Sequence, residues 1–432
     1  MTASPQHSLP KACDDWADLK AAYRFLSNPR VNAEAIQTPH RRHTRARCAE
    51  HPVVLCVEDI SELDFTTRRK TRGLGPIGDG RGRGLLQHST LAVTPQGNVL
   101  GLLHQQWITR AEVPEAETRE QRRARFTKTD LWSEAVAAVG SAPSGCRLVH
   151  VADREADCFQ VMQACDDHGV GFLIRAQHNR SIHGGTDKLW SFMIRQRILG
   201  PRVLKLPRTE KRTARTARLN IRCGQVLLDP PARDDRFTQP RRVSAVYLTE
   251  ERSPKDAEAV EWMLLTSEPT TTAEEAFHRV DEYSRRWVIE EFHKVEKTGC
   301  RLEASQLDEA ADLQRLAAIV AVAAVRLLML REKAQTAMAG ETQDPAVLQR
   351  SVPWLWIVVV ALADKKDPVD PATLTPRAFW LRIARQGGYI GRRSDGRPGW
   401  STAWKGWYDF MFMFRGAELM IHPYAQRIVG KD

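Results

Sequence analysis

The stretch from Tyr283 to Lys297 constrains this chain most. On a helix turning about 100° per residue, Tyr283, Arg286, Glu290, Lys294 and Lys297 share an arc of about 80°. Val288, Phe292 and Val295 fall on the opposite side, where a core should lie. One helix therefore offers an apolar face to the interior and sets a single carboxylate among cations and a phenol on the other side. Ordinary Glu–Lys pairs on a solvated face have the same i, i+4 spacing, so the helix alone leaves both readings open.

Two further carboxylates bear on that choice. The run Val53 to Val57 (VVLCV) reads as a buried strand with Glu58-Asp59 at its end, and Arg147–Ala152 reads as another, followed by Asp153-Arg154-Glu155-Ala156-Asp157. Strand ends facing helices are where α/β sheets place ligand sites. Asp59, Asp153 and Glu290, brought together, would repel one another unless cations bound between them. Such hard oxygen donors suit Mg²⁺ or Mn²⁺ and not zinc. Two ions of that kind, about 4 Å apart, activate water or a 3′-hydroxyl and stabilise the leaving oxygen in phosphoryl transfer. The cationic stripe beside Glu290 would then hold the phosphates. Taken singly, each Asp is more often an ordinary strand-end cap than a ligand.

Composition narrows the partner. Lys and Arg number 64 against 53 Asp and Glu, a net charge of +11, which favours a polyanion, nucleic acid ahead of an acidic membrane surface. At 432 residues the chain is too long for one core, and 42% hydrophobic residues exclude wholesale disorder. The 8 cysteines form no C-x-x-C pair, which argues against a zinc framework or a disulfide scaffold and suits a reducing cytoplasm. The N-terminus lacks the apolar core of a signal peptide. The apolar runs Leu316–Val325 and Val352–Ala363 are shorter than the ~20 residues of a membrane span, so a soluble, cytoplasmic protein with no membrane partner is expected.

Along the chain, short helices with a basic end (His40–Arg47) precede the first strand. A Gly73-x-Gly75-x-x-Gly78 match is discounted, because no apolar strand precedes it and no helix follows it. Ser89–Thr94 and Val99–His104 read as a hairpin, followed by a charged helix over about 116–139. Short strands at Arg202–Leu206, Leu219–Arg222, Val243–Leu248 and Trp262–Thr266 accompany a basic run, Arg208, Lys211, Arg212, Arg215, Arg218 and Arg222. This run, Arg208–Arg222, and the Arg41–Arg47 segment look suited to gripping phosphates.

The pattern Tyr283-x2-Arg286-x3-Glu290-x6-Lys297, continuing through Trp287-Val288-Ile289-Glu290-Glu291-Phe292-His293-Lys294, resembles the YREK signature of bacterial DDE cut-and-paste insertion-sequence transposases. Asp153–Asp157 resembles that family's second catalytic block, Val57-Glu58-Asp59 its first, and Trp262–Ser267 the strand leading into its third. The tail from Arg382 to Gly388 and on to Trp407 is similar to its C-terminal region. The resemblance spans about residues 17–410.

It implies an α/β fold: an RNase H-like core, a mixed sheet flanked by helices, interrupted by a β-rich insertion, with helical N- and C-terminal regions. The expected division is 1–50 (residual DNA-binding helices), 51–180 (first part of the core), 181–269 (insertion), 270–338 (last part of the core, with the YREK helix) and 339–432 (dimerisation). Asp59, Asp153 and Glu290 would be the catalytic metal ligands, with two Mg²⁺ or Mn²⁺ ions per site. Tyr283, Arg286, Lys294 and Lys297 would contact DNA phosphates, and Trp262 would stack on a flipped base. The implied partners are double-stranded DNA, as transposon ends and target, and a second copy of the chain in a paired-end complex. Two departures are visible: the N-terminal recognition domain looks shortened, and Ile60-Ser61 replace the two threonines usual after the first Asp. The rival readings are a catalytically degenerate transposase-derived DNA-binding protein and an RNase H-like metal nuclease without strand transfer.

Overall fold

The structure is a computed structural model of the full chain. It describes residues 8–13, 15–111, 116, 118, 121, 126–206, 215–232, 234–252, 259–338, 344–364, 367–392 and 398–421. The chain divides into two compact units, one of Phe25–Lys297 with Glu303–Val322, the other of Met1–Arg24, Thr298–Leu302 and Ala323–Asp432.

The larger unit is built on one mixed sheet. Strand β1 (Val53–Asp64) pairs in parallel with β5 (Arg147–Ala152), and β5 in parallel with β6 (Gly171–Arg175). On its other edge β1 is antiparallel to β3 (Gly82–Val93), which pairs antiparallel with β4 (Val99–Ile108) and with the short β2 (Gly75–Ile77). Beyond β6 the sheet continues antiparallel through β10 (Glu261–Thr266), β9 (Arg241–Glu250), β8 (Arg215–Leu228) and β7 (Gly200–Leu206). The order β4-β3-β1-β5-β6 is consistent with an RNase H-like core. The four strands between residues 200 and 266 extend that same sheet.

Burial explains the sequence texture. The parallel strands β1, β5 and β6 are covered on both faces, so they read as continuous apolar runs without alternation. Helices Lys128–Val139 and Phe159–Asp167 cover one face through Trp132, Val136, Phe159 and Met162. The helix Ala33–Cys48 lies against β4 so closely that a Cβ on Gly101 would stand 2.1 Å from the Thr44 hydroxyl.

Several sequence expectations change here. Strand β1 runs seven residues beyond Val57, so Asp59 lies within the strand, opposite Ser89. The pairing with β5 ends at Val57, however, and Asp59 therefore stands where β1 outruns β5. The Gly73–Gly78 match, discounted as a phosphate loop, indeed leads into the β2–β3 hairpin. The charged helix begins only at Lys128, and most of residues 112–125 lie outside the described residues.

The two basic segments are also less free than their sequences suggest. Arg41 donates to Gln37 and to the Gln105 carbonyl, Arg45 to the Val139 and Ser141 carbonyls, and Arg47 to the Leu100 carbonyl. Arg208, Lys211 and Arg212 lie outside the described residues, while Arg215 and Arg218 pair with Glu250 and Glu251. A guanidinium held by such acceptors also fastens its own segment, with part of its five-donor fork engaged.

In the smaller unit, helices Trp354–Leu362, Pro376–Gln386 and Trp400–Ile421 meet around Trp356, Phe379, Trp380, Trp407 and Phe410. Trp380 and Trp407 stack at 5.8 Å. Gly406 allows the approach, since a Cβ there would fall 1.7 Å from the Ile383 carbonyl oxygen. All 8 cysteines are free, and among the described residues no helix is long and apolar enough to cross a membrane.

Candidate catalytic site

The segment carrying Glu290 is not one continuous helix. Ala273–Ser284 begins with a capping box between Thr272 and Glu275, and a tight turn at Arg285-Arg286 precedes the helix Trp287–Lys294. At the junction the Val288 and Ile289 amides donate to the Arg285 and Arg286 carbonyls at 3.0 and 3.1 Å, the i to i+3 pattern of a tighter turn. A π-turn, Val295–Gly299, follows. Because a wheel at 100° per residue presumes unbroken α geometry, the expected stripe is re-phased. The buried side carries Ile289, Phe292, His293, Val295 and Glu296, and Val288 is only partly covered. Tyr283 is 5% exposed, with its ring 5.1 Å from that of Trp262 on β10.

The structure brings the three carboxylates into one electrostatic group. Asp59 accepts from the Ile60 amide at 2.8 Å. Asp153, directly after β5, accepts from the Glu155 amide at 2.8 Å and so caps a short 3-10 turn. Arg286 lies between the other two, 3.6 Å from Asp59 and 2.5 Å from Glu290. Burial first, and then the charge of Asp153, push the Asp59 carboxyl up to about 7, with Arg286 opposing and Glu290 adding. Burial would weaken Arg286 as a cation, yet Tyr283, Glu290 and Asp59 together hold its pKa above the ordinary value.

Among the described residues, no three carboxylate, thiol or imidazole groups stand close enough to share one ion as they are placed. The donor set nevertheless fits a hard divalent cation in kind and in charge. All three side chains are carboxylates, burial and the charge of Asp153 raise Asp59, and a guanidinium supplies the countercharge between Asp59 and Glu290.

The remaining residues of the two acidic blocks divide by role. Asp157 is buried and accepts from the Gln177 and His178 amides at 2.7 and 3.0 Å and from Arg180 at 2.5 Å. It fastens the chain leaving β6. Glu155 pairs with Lys128 at 3.0 Å. Lys294 is exposed, whereas Lys297 donates to the Glu62 carbonyl at 2.5 Å and sits 3.7 Å from Glu303. Arg175, at the end of β6, escaped the sequence reading although an arginine closing a buried strand parallel to β5 was its signal. Burial lowers its pKa, and Tyr283, Arg154, Arg286 and Asp153 lie within its field. With Arg154, Trp190 and Glu261 it lines a cavity of about 200 Å³ at the same end of the sheet.

Two fully buried carboxylates were also missed. Glu58, on the strand beside Asp59, lies 2.9 Å from His150 Nδ1 and accepts from the Thr90 hydroxyl at 3.3 Å. Glu296 ends two donor chains. Trp107 Nε1 and Arg41 can only donate, which fixes the Gln87 and Gln37 amides and, through Gln37, the Gln105 amide. Gln87 and Gln105 thus present N–H groups to Glu296 at 2.6 and 3.0 Å. This acceptor locks the segment bearing Glu290 onto β3 and β4.

A glutamine at 296 must turn an N–H₂ toward one of those donors. Glu296→Gln should therefore lose about 1–3 kcal/mol of stability at pH 5. Burial pushes Glu296 up to about 8, against hydrogen bonds from Gln105 and Gln87 that favour its charge. The folded chain thus keeps a proton that the unfolded chain releases near its ordinary value of 4.5, and stability falls as pH rises between 4.5 and about 8. Glu296→Gln should flatten that slope in denaturation curves across the window. An unchanged slope would remove Glu296 as its source.

Two comparisons with known families bear on this arrangement. Residues 1–31 match the family model described as Transposase DNA-binding, and residues 146–326 match the one described as Transposase DDE domain. The second match contains Asp153, Trp262, Tyr283, Arg286, Glu290, Lys294 and Lys297, while Asp59 lies before it. The matches support a transposase function with DNA as its partner.

Proposed function

We propose that this chain is a bacterial DNA transposase that cuts transposon ends and joins them to target DNA by a cut-and-paste route. The observation that carries the reading is Arg286 set between Asp59 and Glu290, 3.6 Å from one and 2.5 Å from the other, with Asp153 near enough to raise the Asp59 carboxyl. Asp59, Asp153 and Glu290 would hold two Mg²⁺ or Mn²⁺ ions. When bound, such ions supply an activated oxygen nucleophile and stabilise the leaving oxygen.

The chain's own side chains do the rest. Arg286 neutralises Asp59 and Glu290, and with those carboxylates holding cations its guanidinium would be available to a phosphate. Lys294 offers an exposed charge on the same helix, and Lys297 meets the strand at its Glu62 carbonyl. Trp262, backed by the buried Tyr283 ring, would offer the aromatic face on which a displaced base stacks. The helical region 339–432 would pair two copies around two ends, in the cytoplasm and on nucleoid DNA.

The test is strand transfer itself. The full chain, given Mg²⁺, a duplex of the element's own end and a circular target plasmid, should join the 3′ end covalently to the plasmid. Cleavage without joining would favour a metal nuclease, and binding with neither step would favour a degenerate DNA-binding descendant.

A further inference from the structure

We propose that the larger unit carries a second nucleotide-binding pocket, at the end of the sheet away from the carboxylates, shaped for a nucleobase and its phosphate. A cavity of about 500 Å³ opens between the start of β6, the end of β10 and the segment entering β9. Phe172 and Ser267 line it, whereas Arg175 and Trp262, on the same two strands, lie toward the catalytic end. At about 3.3 Å per residue, the two ends are on the order of 10–17 Å apart along those strands.

Its chemistry is aromatic and cationic together. The rings of Phe159 and Phe237 meet at 5.9 Å. The Arg236 guanidinium lies 5.5 Å from the Phe237 centroid, and that of Arg241 lies 5.8 Å from the Phe159 centroid. Phe159 is buried, so the surfaces left for a base are the partly covered Phe237 ring and the guanidinium planes. The charges are unequal: Arg236 pairs with Asp234 and Arg241 with Asp166, but Arg242 is exposed with no carboxylate partner among the described residues. One guanidinium is left over for a phosphate. A volume of this size suits one nucleotide unit and is too small for a duplex.

The ligand is either an unpaired stretch of DNA strand or a free nucleotide, which share that chemistry. The proposal rests on DNA as the partner and not on cleavage. The probe is a short single-stranded oligodeoxynucleotide carrying 5-iododeoxyuridine, photo-crosslinked to the full chain and mapped by peptide mass spectrometry. Adducts should fall on the segment containing Phe237. Phe237→Ala should weaken binding roughly 5- to 100-fold, the range of one lost base stack. Arg242→Ala, on an exposed residue whose loss leaves the fold intact, should lower the slope of log affinity against log salt by about 0.7, the single-strand value for one phosphate.

Competition by thymidine monophosphate would show that a free nucleotide is accepted. Its failure to compete, with the adduct retained, would assign the pocket to a strand. Adducts confined to other segments, or Arg242→Ala binding with the parent's salt slope, would overturn the proposal. A chain inactive in strand transfer would still give the crosslink, so the two readings fail separately.

Discussion

Replacing Asp153 by Asn should reduce metal-dependent DNA cleavage by about 10³-fold or more, as expected when a ligand of a phosphoryl-transfer metal is lost. Asparagine is the informative substitution, because its side-chain oxygen can still accept from the Glu155 amide and keep the turn after β5 capped. Asp153→Ala should lose the same activity and, in addition, about 1 kcal/mol of stability from the missing cap. The pair thus separates a catalytic charge from a structural acceptor. Removing that charge should also let the Asp59 carboxyl fall from about 7 toward its ordinary range, since Asp153 is the strongest charge acting on it. Cleavage by Asp153→Asn at the parent rate, in a gel assay of end-labelled duplex, would dismiss Asp153 as a ligand.

Glu58→Ala should be the most destabilising single change considered, costing about 3–5 kcal/mol. Glu58 and His150 are fully buried, and their 2.9 Å contact ties β1 to β5 in the two strands that present Asp59 and Asp153. An alanine leaves His150 Nδ1 and the Thr90 hydroxyl without their acceptor, in a core that holds His88 as well, and opens a cavity. By the usual scaling for a unit of this size, the melting temperature should drop by roughly 10 °C. Glu58→Gln keeps an oxygen for His150 and should lose less. Calorimetry showing Glu58→Ala within about 0.5 kcal/mol of the parent, the range of an indifferent surface change, would mean that the buried pair contributes nothing.

The sequence announced the parts of this architecture that depend on local pattern. Two apolar strands followed by Asp, and a helix with Glu290 among cations, are readable because burial on both faces and helical periodicity leave marks within a dozen residues. Strand β1 ran on past Asp59 because ISELD alternates and pairs with β3, a hairpin partner that the glycine-rich loop between them concealed. The break at Arg285-Arg286 left no proline or glycine to signal it, so the wheel was continued through a tight turn and then a π-turn. Glu58 and Glu296 were hidden for another reason. Glutamate is seldom fully buried, and the groups that make it tolerable here are 92, 209 and 191 positions away in His150, Gln87 and Gln105. Such pairings are created by topology, and no local pattern in one sequence carries them. In the basic runs the charge is visible in the sequence, whereas the carbonyls and carboxylates met by Arg41, Arg45, Arg47, Arg215 and Arg218 are not.

Asp59, Asp153 and Glu290 should converge on one divalent-metal centre, which iron-directed backbone cleavage reads out without requiring any activity. The full chain loaded with Fe²⁺ and treated with ascorbate and peroxide is cut beside the bound ion. Breaks are expected next to residues 59, 153 and 290, suppressed by excess Mn²⁺ or Mg²⁺ and lost in Glu290→Gln. Breaks absent from these three places, or indifferent to both the competing metal and the substitution, would contradict that convergence.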